Sequence, residues 1–149
     1  MKVSNPAKLA PTIQILLVDD NRNGLCARKA VMEELGHQVK AFASPEEALE
    51  AFSETPFDLL VTDYRMPRMN GAELIRKVRE INASVPVILL SGMVDALGLT
   101  EANTGANIVI AKNANEVSRL LRAVRELVSS PRKPARSQSD TASRKRKQA

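Results

Sequence analysis

Five short apolar runs limit most strongly what this chain can fold into: IQILLV (13–18), VKAFA (39–43), DLLVT (58–62), PVILL (86–90) and NIVIA (107–111). The first, third, fourth and fifth are nearly continuous in Ile, Leu and Val, the pattern of strands buried on both faces of a parallel sheet. The second has Gln38 and Lys40 interleaved and reads as a more exposed edge strand.

Helical patterns fill the gaps. Residues 22–35 place Leu25, Met32 and Leu35 on one stripe and stop at Gly36. Ser44-Pro45-Glu46-Glu47 has the form of a capping box, with Ser44 at the N-cap and Glu47 three residues on. Gly71 precedes a helix with Leu74, Ile75, Val78 and Ile81 inward. Residues 95–104 form the weakest helix, interrupted by Gly98. The last helix carries Val117, Leu120, Leu121, Val124, Leu127 and Val128 at helical spacing. Strand and helix alternate five times, which predicts an α/β, doubly wound parallel sheet with helices on both faces.

Such a sheet binds ligands outside the carboxyl ends of its strands, so the residues at those ends matter most. The first strand runs into Asp19 and Asp20, the third into Asp63, the fourth into Ser91 and the fifth into Lys112. Taken singly, Asp20 could cap a helix, Asp63 could serve a turn, Ser91 could be a loop hydroxyl and Lys112 a surface lysine. Together they put three acids, a hydroxyl and an amine on one rim. Carboxylates so placed repel unless a divalent cation sits among them, and Mg2+ takes one or two protein carboxylates while leaving positions for water and phosphate. A phosphoryl group there would have Lys112 as a second cation and Ser91 as a hydrogen-bond donor. An aspartate in such a pocket can be the nucleophile that forms an aspartyl phosphate.

Charge is unevenly distributed. The formal net charge is +5, but the residues from Pro131 onward hold seven Lys or Arg against Asp140 alone, a net of +6, which leaves the other 130 residues at −1. This segment has no Val, Ile, Leu, Phe, Tyr or Trp and cannot bury enough surface to fold. The expected organisation is an N-terminal extension (1–12), one domain (13–129) and a basic disordered tail (130–149). The plainer reading of the tail is a solubilising role; the sharper one is a weak contact between residues 131–149 and a polyanion such as nucleic acid. No run approaches a membrane span, and the N-terminus lacks a signal-peptide core. The single cysteine, Cys26, fits a reducing cytoplasm and reads as small buried filler. His37, the only histidine, reads as a surface residue away from the rim.

The segments LLVDDN (16–21), DLLVTDYRMPRMNG (58–71), VILLSG (87–92) and GANIVIAK (105–112) resemble the receiver domain of two-component response regulators, over roughly residues 13–129. The resemblance implies a flavodoxin-like sheet of order 2-1-3-4-5 in a stand-alone chemotaxis-type receiver. It makes Asp63 the phosphoacceptor and a Mg2+ ligand, with Asp20 binding Mg2+ directly, Asp19 through water, and the Arg65 backbone carbonyl as the third protein ligand. Lys112 would bridge to the phosphoryl group and Ser91 would report its arrival. Pro67 and Gly71 would shape the loop after Asp63, and Gly92 would leave room beside the phosphoryl group. The implied partners are a histidine kinase or phosphotransfer protein and an unknown downstream protein, with signalling by altered protein affinity and no separate substrate turnover.

Two positions depart from the family. Val109 stands where an aromatic switch residue is usual, and Asn113 stands where a proline, often cis, follows the lysine. Two other readings compete. A receiver-like module could act without phosphorylation, and haloacid-dehalogenase-type phosphatases share the acid, hydroxyl, lysine and Mg2+ set. The latter resemble a different order, with D-x-D after the first strand, whereas only Arg65 stands two residues after Asp63. No G-x-x-x-x-G-K-[ST] loop is present.

Overall fold

Each apolar run becomes a strand in the computed structural model, which describes residues 12–129. The strands are β1 (Gln14–Val18), β2 (Gln38–Phe42), β3 (Leu59–Asp63), β4 (Val87–Ser91) and β5 (Ile108–Ala111). All pairings are parallel, in the order β2-β1-β3-β4-β5. Six helices connect and cover them: α1 (Arg22–Glu34), α2 (Pro45–Glu54), α3 (Gly71–Ile81), α4 (Val94–Leu97), α5 (Glu101–Thr104) and α6 (Glu116–Ser129). Both the doubly wound fold and the expected order hold.

The two-residue period of a strand divides the core into two layers. Leu16, Val18, Leu60, Val87 and Leu89 pack toward Phe52 of α2 and Leu74, Ile75 and Val78 of α3. Ile15, Leu17, Leu59, Val61, Ile88 and Leu90 pack toward Leu25 and Met32 of α1 and Leu120 and Val124 of α6. The central strands are therefore apolar at nearly every position because both faces are covered. The same logic corrects the reading of the fifth run. β5 lies at the edge, and of its four residues only Ile110 is fully buried.

Helix ends follow local chemistry. Gly36, with φ +96°, closes α1 after its cap Leu35. Ser44 caps α2 by accepting from the Glu47 N–H, and its hydroxyl donates to Glu46; the reciprocal bond of the predicted capping box, from the Ser44 N–H to the Glu47 side chain, does not form. A full capping box forms instead at α3, between Asn70 and Glu73. The weak helix predicted over 95–104 divides where Gly98 adopts φ +62°; Thr100 and Asn103 then restart the chain as α5. Ile81 and Val117, expected inward, are exposed because each lies at a helix end beyond the sheet's cover. Cys26 is exposed rather than buried filler. The tail and most of the N-terminal extension lie outside the described residues. Among those described, no helix is long and apolar enough to cross a membrane.

His37 is buried, contrary to expectation. The Gly36 turn carries it under the entrance to β1, where its Nδ1 accepts the Ile13 N–H at 3.2 Å and the Thr12 hydroxyl donates to the Gly36 carbonyl at 3.1 Å. An accepting Nδ1 requires the neutral ring, and burial pushes the His37 pKa below its ordinary value. The unfolded chain then binds a proton near pH 6.5 that the folded chain resists. Stability from this group is present above that pH and is lost as pH falls through the lower folded value. Thermal melts between pH 7 and 5 should show wild type losing more stability than His37→Asn, which keeps an acceptor that does not titrate. Parallel curves for the two proteins would contradict this account.

Candidate functional site

Register brings the rim together. Val18 is level with Thr62, Asp63 with Leu90, and Ser91 with Ala111, so Asp19, Asp63, Ser91 and Lys112 all stand at the carboxyl edge of the sheet. The chain leaves β1 through a tight turn. Asp19 Oδ1 accepts the Asn21 N–H at 2.9 Å, and Asn21 caps α1 by accepting from the Gly24 N–H at 3.0 Å. Asn21 therefore does the capping, and Asp20 is left exposed on the turn. Asp20 has no hydrogen bond or ion pair among the described residues.

The carboxylates of Asp19, Asp20 and Asp63 each offer an oxygen within 4.8 Å of the others. Lys112 Nζ lies 3.1 Å from Asp63 Oδ1 and 3.5 Å from Asp19 Oδ2. Asp63 Oδ1 also accepts the Tyr64 N–H at 2.9 Å. Burial pushes the Asp63 carboxyl above the ordinary range; the Lys112 charge opposes this, and the Asp19 charge adds to it. An ionised Asp63 at neutral pH thus costs folding free energy, and positive charge on the rim relieves that cost. Ser91 is buried, and its Oγ accepts the Met93 N–H at 2.9 Å.

The acid set fits a small hard cation such as Mg2+. Asp20 is exposed and has no partner among the described residues, Asp63 keeps Oδ2 without a partner among them, and all donors are oxygen. When bound, such an ion supplies positive charge for the oxygens of a transferring phosphoryl group.

The loop after Asp63 is tightly built. The Gly71 N–H donates to the Tyr64 carbonyl at 2.7 Å, and a Cβ on Gly71 would stand 2.5 Å from the Asp63 carbonyl oxygen, so only glycine fits. Between Pro67 and Gly71 the chain makes a three-residue turn. The Met69 N–H reaches the Pro67 carbonyl at 2.8 Å, and Arg68 takes φ +68°, rare for a residue with a side chain. The Arg68 guanidinium is held by both oxygens of Glu46 on α2. Arg65 is exposed, and its carbonyl accepts no hydrogen bond among the described residues. A Cβ at Gly92 would meet open space. Val109 is half-buried on the β5 edge, where its N–H donates to Glu101 Oε2 at 3.0 Å. Asn113 receives the Asn115 N–H on its side chain and the Glu116 N–H on its carbonyl, so it builds the turn into α6.

One functional group escaped the sequence reading. Arg28, buried on α1, donates from Nη1 to Asp19 Oδ2 and from Nε to Glu116 Oε2 at 2.6 Å. Burial alone would lower the pKa of its guanidinium; the hydrogen bond and charge of Glu116, then those of Asp19, outweigh it and raise the pKa. The only hint in the sequence is Gly24, one helical turn earlier, and a glycine inside a helix has many explanations.

Known proteins with the same organisation bear on what this rim does. The chain matches the response regulator receiver domain family over residues 15–125. It is 37% identical over 86 residues to the sensor protein EvgS of Escherichia coli, an alignment that covers 58% of this chain but only 7% of that protein. Among solved structures it is similar to the response regulator TrrA of Thermotoga maritima in complex with Mg2+ and a beryllium fluoride, with 27% identity, a TM-score of 0.69, and coverage of 76% of this chain and 97% of that one. It is also similar to the receiver domain of a Pseudomonas aeruginosa sensor histidine kinase with magnesium coordinated in its active-site cleft, with 25% identity, a TM-score of 0.71, and coverage of 80% and 100%. The chain belongs to the response regulator receiver domain family of two-component signalling.

Proposed function

We propose that this receiver domain takes a phosphoryl group from the phosphohistidine of a histidine kinase or phosphotransfer protein onto Asp63, in a cytoplasmic relay. The observation that carries the proposal is the Asp63–Lys112 pair at 3.1 Å, standing within one cluster with Asp19 and Asp20. Family membership and the magnesium of two similar structures support the same reading.

The chemistry assigns each group a task. An Asp63 oxygen attacks phosphorus, the bond from phosphorus to the donor's imidazole nitrogen breaks, and its electron pair stays on the imidazole, which takes a proton from solvent. Lys112 orients the carboxylate in the resting state and follows the negative charge onto the phosphoryl oxygens. Asp20, Asp63, the Arg65 carbonyl and, through water, Asp19 would hold a divalent cation, whose charge would stabilise the phosphoryl oxygens. The Ser91 hydroxyl donates to a phosphoryl oxygen, and Gly92, with nothing within 4 Å of where a Cβ would stand, leaves that space open. Gly71 and Pro67 fix the Asp63 backbone. The domain signals by changing its affinity for a downstream protein and turns over no separate substrate. A polyanion contact by residues 131–149 is a secondary part of the proposal, resting on charge alone.

Val109 cannot act as a swinging ring, since a β-branched side chain is short and stiff at χ1. Signal then travels from Ser91 through the 92–99 segment to α5, whose Glu101 already holds the Val109 N–H. The Ser91–Leu97 segment, with Gly92 inside it and Gly98 at φ +62° just after it, is the element that would take the two arrangements coupling needs.

Incubation with a small phosphodonor and Mg2+ should add one phosphoryl group to wild type and none to Asp63→Asn, read by intact mass. Equal uptake by both proteins would overturn the assignment. Saturating Mg2+ should also raise the melting temperature of wild type. At a hundredfold excess over Kd the expected gain is about 2.7 kcal/mol, and Asp20→Asn should lose most of it. The same Mg2+ shift in the variant would remove Asp20 from the metal site.

A further inference from the structure

Asp19 is the most enclosed acid of the rim, and neither of its oxygens is open. Oδ1 holds the Asn21 N–H, and Oδ2 faces both Arg28 Nη1 and Lys112 Nζ. Arg28 gets there by crossing over Gly24. A Cβ at Gly24 would lie 2.7 Å from Arg28 Nη1 and 3.3 Å from Asp19 Oδ2, so the guanidinium occupies the space that a side chain would fill. Its other edge is taken by Glu116 in the first turn of α6. Four residues on three segments (Asp19, Gly24, Arg28 and Glu116) thus assemble one buried ion network beside the acid cluster.

A network of this kind is weak evidence for stability, because desolvating the charges offsets most of their attraction. Its consequence lies in charge. A fixed guanidinium on Asp19 neutralises one of the carboxylates that a divalent cation would use. We infer that Arg28 is a positioning residue that sets the site's affinity for its divalent cation by holding Asp19, with Glu116 as the alternative carboxylate onto which the guanidinium withdraws when the cation binds. This rests on the metal site described above. When Asp19 turns toward a cation, Arg28 need not be left as an unpaired buried charge, because Glu116 remains.

Three substitutions separate this role from general packing. Arg28→Met removes the internal cation. Gly24→Ala leaves the net charge unchanged and displaces the guanidinium from Asp19, since the far end of a flexible side chain must give way. Glu116→Gln leaves the guanidinium with Asp19 alone. The probe is Mg2+ itself, titrated into the full chain. The single tyrosine, Tyr64, adjoins Asp63, so its fluorescence reports the site in a chain without tryptophan. Amide NMR shifts of residues 19–21 and 63–65 provide a second readout.

Arg28→Met and Gly24→Ala should both tighten Mg2+ binding, the former by at least about tenfold, the change that removing a unit charge near a divalent cation implies even at water-like screening. Glu116→Gln should weaken it several-fold. Opposite signs from substitutions on one ion network are not what a purely structural role produces. If Arg28→Met does not fold, Gly24→Ala decides alone: an affinity within twofold of wild type overturns the inference. Asp20→Asn tests the underlying site independently. If it abolishes binding while the Arg28 and Gly24 variants behave as wild type, only the role of Arg28 fails. If Asp20→Asn binds Mg2+ like wild type, the metal site itself fails, and this inference with it.

Discussion

Three carboxylates at the mouth of an apolar sheet dictate much of this structure. Two of them about 5 Å apart repel by roughly 3 kcal/mol at an effective dielectric near 20, a large share of a small domain's total stability. The chain answers with cations of its own. Lys112 stands between Asp63 and Asp19, and Arg28 holds the same Asp19 oxygen that Lys112 faces. Asp20 alone faces solvent without a partner among the described residues. The rim is therefore balanced on its buried side and left negative on its open side, where the proposed metal ion and phosphoryl group would approach.

The rest of the fold delivers those groups to one place. Parallel pairing aligns all five carboxyl ends, and the apolar alternation of β1, β3 and β4 fixes which residues point into which layer. Arg79 then ties the opposite end of the sheet together. It donates to the carbonyls of Ala83, Val85 and Gly105 and to the Asn107 side chain, which itself holds the Val87 N–H. The region after Ser91 is built more sparingly. α4 and α5 have four residues each, and Thr104 is the only buried residue in either. Few buried contacts mean low local stability, which suits a segment proposed to carry the signal from Ser91.

Asp63, Ser91 and Lys112 were legible in the sequence because each ends a strand whose apolar run is unmistakable; position in the fold follows from periodicity, and position supplies the chemistry. Arg28 was not legible. It is one of 22 basic residues, on a helix whose stripe is otherwise apolar, and its partners Asp19 and Glu116 lie 9 and 88 residues away. Burial of single residues outside regular stripes was equally hidden. His37 follows a glycine turn that looks like surface chain, yet that turn folds it beneath β1. Cys26 has the composition of core but the wrong helical phase. At β5 the run of apolar residues suggested burial on both faces, whereas its edge position, which the order implied by the resemblance already carried, leaves it only partly covered.

The central claim is that this rim exists to place a phosphoryl group on one particular carboxylate. The most direct test is to treat the Mg2+-loaded protein with a small phosphodonor, trap acyl phosphate with borohydride, and locate the reduced residue by peptide mass spectrometry. Borohydride converts an aspartyl phosphate to homoserine, so the modified position is read without any substitution. The account predicts homoserine at position 63 and at no other aspartate. Homoserine at position 19 or 20, or none at position 63 when intact mass shows phosphoryl uptake, would contradict it.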